Sequence, residues 1–140
     1  MLKQISIFAE NKKGVMNDIT GLLADAGINI LGHVTNDSAE YGIVRMVVDD
    51  ADKAVSLLKG SGYACRLTDV LGIEMNDEPG AMNKVLKAIS DACVNIDYLY
   101  ISFNRKSACP VLILHTEDIG EVEEMLRSRG FKTVSREDIK

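Results

Sequence analysis

An α+β fold made of one βαββαβ unit written twice is what this sequence predicts, on three observations. Alternating apolar runs and amphipathic helical stripes follow one another as strand, helix, strand, strand, helix, strand, and the order then restarts. Marker residues recur at a fixed offset: Gly14 and Gly80, Met16 and Met82, Ala26 and Ala92, Asn29 and Asn95, and Ile30 and Ile96 all stand 66 residues apart. Late in each copy the offset grows to 68, for Leu58 and Leu126, Gly62 and Gly130, and Tyr63 and Phe131. The third observation is the missing linker. The copies, expected over 1–69 and 70–140, nearly touch in sequence, which predicts that they lie side by side.

The elements follow in order. Ile5 and Ile7 alternate with Gln4, Ser6 and Phe8, a strand pattern. After the loop Glu10–Lys13, Val15, Ile19, Leu22, Leu23 and Ala26 form one helical stripe that Gly27 ends. Gly21 inside it costs about 1 kcal/mol of helix propensity. Ile28–Thr35 reads as a strand, Asn36–Glu40 as a turn, and Tyr41–Val48 as a strand with Val44, Met46 and Val48 on one face. Asp52 is the expected cap of a helix whose Ala54, Val55, Leu57 and Leu58 face inward, closed by Gly60 and Gly62 before a strand Tyr63–Thr68.

The second copy starts with Leu71, Ile73 and Met75 alternating with Gly72 and Glu74. The loop Asn76–Met82 leads into a stripe of Ala81, Val85, Ala88, Ile89 and Ala92. Strands are expected over Ile96–Phe103 and Ala108–His115, around a turn at Asn104–Ser107. Asp118 and Glu121 have capping-box spacing ahead of Val122, Met125 and Leu126, and Phe131–Arg136 is the expected last strand. The order βαββαβ is that of a ferredoxin-like unit, with antiparallel sheets and helices on one face. The other face also carries apolar residues, and a second chain is its natural cover.

Composition narrows the function. A net charge of −5 and a sequence pI near 5.0, with no dense basic run, speak against a nucleic-acid partner. Tyr98, Tyr100 and Phe103 lack the basic surroundings of an RNA-binding sheet, and a packed sheet–sheet interface explains Tyr98 and Tyr100 better. No apolar run reaches the ~20 residues of a membrane span, and Met1–Ser6 does not open a signal peptide. Cys65, Cys93 and Cys109 form no CxxC and read as buried, reduced thiols of a cytoplasmic protein. His33 and His115 have no histidine counterpart at the repeat offset, where Leu99 and Asp49 stand, and no metal-ligand spacing. Neither a nucleophile–base constellation nor a GxSxG elbow occurs, so catalysis is not expected.

The segments Asp77-Glu78-Pro79-Gly80-Ala81-Met82, Ala92-Cys93-Val94-Asn95-Ile96 and Gly130-Phe131 resemble an ACT domain. The first copy matches as Asn11-Lys12-Lys13-Gly14-Val15-Met16, Ala26-Gly27-Ile28-Asn29-Ile30 and Gly62-Tyr63. The whole chain thus resembles the small stand-alone proteins that carry two ACT repeats. The resemblance implies a non-catalytic regulatory protein without a cofactor, which pairs through its sheets as a homodimer. It also implies an amino-acid ligand at ACT–ACT interfaces near the first strand-to-helix loop, and a separate protein partner as output. A carboxylate suits that loop because it ends at a helix N-terminus, with free N–H groups and the positive end of the dipole. The candidate ligand-binding residues are Asn11, Gly14, Val15, Met16, Asn29 and Ile30 in the first copy. In the second they are Asn76, Glu78, Gly80, Ala81, Met82, Asn95 and Ile96. Glycine permits close approach and positive φ, and Asn offers both a donor and an acceptor. The copies differ where Lys12-Lys13 stands against Glu78-Pro79, so two unequal sites are expected, with the second loop the stiffer. A scaffold module of the same fold without a ligand is the alternative.

Overall fold

The computed structural model describes residues 1–36 and 41–140. In chain order the elements are β1 (Leu2–Glu10), α1 (Val15–Asp25), β2 (Ile30–Asn36), β3 (Tyr41–Val48), α2 (Ala51–Gly60) and β4 (Ala64–Glu74). They continue as α3 (Ala81–Asp91), β5 (Ile96–Phe103), β6 (Pro110–Thr116), α4 (Ile119–Ser128), β7 (Lys132–Thr133) and α5 (Arg136–Ile139). Two compact units result, Lys3–Thr68 and Asp69–Lys140, with Met1 and Leu2 belonging to the second. The strands expected at 63–68 and 71–75 form the single strand β4. Asp69-Val70 between them offers neither Gly, Pro nor Asn to break an extended run.

In the first unit β3 lies antiparallel to β1, with Ile7 opposite Val44 and Ala9 opposite Gly42, and β2 takes the far edge of β3. The strand order is β2-β3-β1-β4. Alternation sends Ile5, Ile7, Val44, Met46 and Val48 to one face, where they pack with Ile19 and Leu23 of α1 and Ala54 and Leu58 of α2. α2 is capped by Asp50, whose carboxylate accepts the Lys53 N–H at 3.1 Å, and not by Asp52 as expected. Asp52 falls inside the first turn, where its charge suits the helix dipole. The turn expected at 36–40 lies, at residues 37–40, outside the described residues.

The second unit orders its strands β7-β4-β6-β5, with Ile73 opposite Leu112 and Tyr100 opposite Ile113. Leu71, Ile73, Leu112 and Leu114 meet Val85 and Ile89 of α3 and Val122 and Leu126 of α4. Three expectations fail here. Asp118 does not cap α4: it is left-handed at φ +52° and makes no side-chain cap bond. The strand expected from Ala108 starts at Pro110, because Ala108 is itself left-handed at φ +59°. The last strand shrinks to Lys132–Thr133 and gives way to α5, whose start is tied by a capping box: Asp138 Oδ2 accepts the Ser135 N–H at 2.9 Å and its hydroxyl at 3.1 Å. Those hydrogen bonds hold the Asp138 carboxyl below its ordinary range.

This C-terminal strap lies over part of the second sheet. On the face of the second sheet away from α3 and α4, Val134 and Ile139 are buried with Leu2 and Val111. Leu2, Val134 and Ile139 therefore cover part of the apolar surface on this face of the second unit. Gly72 makes room for them, since a Cβ there would stand 2.6 Å from Val134 Cγ2 and 2.8 Å from Leu2 Cδ1. Arg105 fastens the strap by donating to the Ile139 carbonyl at 2.9 Å. The α-amino group of Met1 donates to Glu123 Oε2 at 3.2 Å.

Candidate functional site

The two strand-to-helix loops share one backbone frame. In the first, Lys12 N donates to the Glu10 carbonyl at 3.0 Å and Val15 N to the Lys12 carbonyl at 3.4 Å. In the second, Glu78 N donates to Asn76 O at 3.0 Å and Ala81 N to Glu78 O at 3.3 Å. Pro79 against Lys13 thus leaves the loop path unchanged. Gly14 and Gly80 are left-handed, at φ +89° and +84°, and a Cβ at either would meet open space. Glycine is therefore needed for its backbone angle. No side chain caps α1 or α3, which leaves the positive end of each helix to meet an anion from outside.

Each loop borders a cavity, and the two open in different directions. The first, about 250 Å³, is lined by Ala9, Glu10, Asn11, Lys12, Val15 and Met16 together with Thr35, Gly42 and Val44. It opens toward β2 and β3. Lys12 Nζ and Glu10 Oε2, 3.2 Å apart, place both charges beside it. The second, about 330 Å³, is lined by Glu74, Asn76, Glu78, Ala81 and Lys84 and by Gly130, Phe131 and Lys132. It opens toward the turn after α4. Lys132 Nζ lies 3.2 Å from Glu74 Oε2, and Lys84 Nζ 3.8 Å from Glu78 Oε1.

Both openings have causes in the sequence. Where the first unit pairs Ala9 with Gly42, the second pairs the larger Met75 and Pro110, both buried, and Met75 N donates to Pro110 O at 2.9 Å. Where the second unit has Phe131 and Lys84, the first has Tyr63 and Asp18, and the Tyr63 hydroxyl donates to the Asp18 carboxylate. That bond, with burial and the Asp18 charge behind it, pushes the phenol pKa up. The first unit is thus bridged on the flank that the second leaves open.

Of the residues expected at the site, Asn11, Val15 and Met16 meet at the first cavity, and Asn76, Glu78 and Ala81 at the second. Gly14 and Gly80 are turn pivots, while Ile30, Met82 and Ile96 pack against the two cores. Asn29 and Asn95 stand elsewhere. The Asn29 N–H donates to Asp49 Oδ1 at 3.0 Å, and its carbonyl accepts the Asp49 N–H at 3.1 Å. Asn95 lines a third cavity of about 470 Å³ with Cys93, Asp97, Asp118 and Glu121. Helices of 11 residues are about 16 Å long, so each Asn lies a helix length from its own unit's loop. Thr35, Gly42, Phe131 and Lys132 were missed. Comparing Gly42 with Pro110 and Tyr63 with Phe131 at the 68-residue offset could have found two of them.

The remaining candidates stay separate. His115 Nδ1 is 2.7 Å from Asp97 Oδ2 and its ring stacks on Tyr98 at 5.3 Å. Among the described residues no group of three or more His, Cys, Asp or Glu is placed to hold a metal ion. Cys65 is buried, as expected, and burial raises its thiol pKa, but Cys93 is exposed and Cys109 intermediate. Among the described residues no helix is long and apolar enough to cross a membrane.

A family model described as an ACT domain pair matches residues 1–140. A crystal structure of a protein from Bacteroides thetaiotaomicron is 33% identical, with a TM-score of 0.90, over 99% of this chain and 94% of that one. The ligand-free regulatory subunit of aspartate kinase from Thermus thermophilus superposes with a TM-score of 0.65 at 16% identity, over 90% and 91% of the two chains. The corresponding subunit from Thermus flavus gives 0.60 at 17%, over 90% of each. At these identities the two subunits share the fold. A search of curated proteins found no match.

Proposed function

The chain belongs to the ACT-domain family as a pair of ACT domains, and from that premise we propose that it is a non-catalytic, cytoplasmic regulatory protein that binds an amino acid. The domains are taken as 1–69 and 70–140, and the ligand sits beside their first strand-to-helix loops. One observation carries the reading: each loop delivers an uncapped helix N-terminus next to a small cavity that has carboxylate and ammonium groups on its wall or rim. A zwitterion matches that arrangement at both ends. The fold shared with aspartate kinase regulatory subunits agrees with a regulatory role.

Asn29 and Asn95 enter only across an interface. Each is a helix length from its own loop, and in this reading a second chain, paired as a homodimer, brings an Asn to the ligand. Binding would then bias the pairing, because the ligand favours whichever state completes its site. A separate protein partner would read the change.

Thermal-shift screening of the full chain with the twenty amino acids tests the proposal. A ligand at 100 times its Kd adds about 2.7 kcal/mol and raises the melting temperature. If no amino acid does so, the sensor reading fails. The scaffold alternative then stands on Ile101 and Phe103, 45% and 54% exposed on β5, which pairs only with β6 among the described residues.

A further inference from the structure

Resting on that reading, we infer that the cavity of the first repeat takes an α-amino acid with a short aliphatic side chain, and that Gly42 sets the size it accepts. The cavity divides by chemistry. Glu10, Asn11 and Lys12 are exposed and form a polar mouth, and Thr35 stands at the rim. Ala9 and Val44 are buried, Val15 and Met16 are half-buried, and Gly42 presents no side chain at all. The inner wall is therefore apolar, and the charges sit only where an amino acid carries its own.

The binding mode follows from those positions. The ligand carboxylate takes the place of Glu10 opposite Lys12 and meets the uncapped end of α1. The ligand ammonium meets the Glu10 carboxylate so released. An ion pair as exposed as Lys12–Glu10, with side chains 66% and 58% accessible, contributes little on its own, so exchanging it costs little. A charged ligand side chain would instead be desolvated against Ala9, Val15, Met16 and Val44 with no partner. At about 250 Å³ the space is below the roughly 300–1,000 Å³ of clefts for drug-sized ligands. On the corresponding flank of the second unit the larger Met75 and Pro110 stand in place of Ala9 and Gly42. We place this mode at the first repeat.

The test is calorimetric titration of the full-length protein with alanine, valine and leucine on one side and aspartate, lysine and phenylalanine on the other. The aliphatic set should bind at least tenfold tighter than the other three. Gly42→Val should cut valine and leucine affinity at least tenfold and alanine affinity less, with the unliganded melting temperature recorded alongside. Should that variant fail to fold, Gly42→Ala is expected to give the same ranking in weaker form, and Lys12→Gln to weaken all three aliphatic ligands alike. Preferred binding of a charged or aromatic amino acid overturns this inference and leaves the amino-acid reading standing. Silence toward every amino acid overturns both. Unchanged valine affinity in a folded Gly42→Val protein overturns the placement at this cavity.

Discussion

The two repeats share a loop and differ in what surrounds it. Gly14 and Gly80 turn the chain through the same left-handed angle, and the flanking backbone hydrogen bonds correspond one for one. Yet the first loop opens toward β2 and β3, past Ala9 and Gly42, while the second opens toward the α4–β7 turn, past Phe131 and Lys84. A small pair of residues creates one opening, and the absence of a Tyr–Asp bridge creates the other. Duplication kept the backbone frame, which is costly to change because it rests on positive φ. The flanks differ, because a side chain on a cavity wall can be exchanged without disturbing the frame.

The largest expected effect tests how differently the repeats treat the sheet face away from the helices. Gly72 of the second repeat corresponds to Ser6 of the first, whose hydroxyl accepts from Gln4 Nε2 at 3.2 Å. Gly72→Ala should destabilise by about 1–3 kcal/mol, as overpacking does, lowering the melting temperature by several degrees. Val134 is stiff at χ1 and cannot swing away. Ser6→Ala should cost about 1 kcal/mol, the net worth of one hydrogen bond. A double variant Gly72→Ala/Val134→Ala should lose less than the sum of its singles, because the clash is shared. Full additivity in denaturant melts would mean that the strap does not press on Gly72.

The next effect concerns the Tyr63–Asp18 bridge, which distinguishes the flanks. Tyr63→Phe recreates the residue of the second repeat and should cost at most about 1 kcal/mol, the bond being largely exposed. The raised phenol pKa gives a sign to the pH dependence. The bridge contributes stability below pH 10, the ordinary tyrosine value, and loses it as pH rises through the higher folded value. In a spectrophotometric titration Asp18→Asn should move one tyrosine to lower pH. Superimposable curves would remove the bridge from the account of why the first flank is closed.

Much of this was legible in the residues themselves. The repeat offset and the Gly-ended stripes gave the element order, because helix periodicity and strand alternation are local. The loops were legible for the same reason. What escaped depended on partners distant in sequence. Gly42 matters only because antiparallel register sets it opposite Ala9. Asn29 and Asn95 join the candidates because they recur at the repeat offset and offer both a donor and an acceptor, although a helix length separates each from its loop. The caps failed differently. Asp118 has the spacing of a cap but the wrong backbone angle, which sequence does not reveal. Ser135 and Asp138 did carry a readable capping-box spacing, hidden because Phe131, Thr133 and Val134 read as a continuing strand.

The smallest effect also belongs to the contrast, since no counterpart of the strap follows the first repeat's α2. Hydrogen bonds from Ser135 keep the Asp138 carboxyl below its ordinary value of 3.8. A lowered folded pKa contributes stability above the unfolded value and loses it as pH falls through the folded one. Acid below about pH 4 should therefore release α5 before either core is lost. Amide exchange at 135–140 should accelerate as pH falls below about 4 relative to α3, after correction for intrinsic rates, while that of β6 stays protected. Asp138→Asn should bring the same local loosening at neutral pH, for the amide accepts more weakly than a carboxylate. If the strap of the variant exchanges as slowly as that of the wild type, the capping box is not what holds it. Burial of Ile139 and the Arg105 hydrogen bond to its carbonyl would then be enough to keep Gly72 covered.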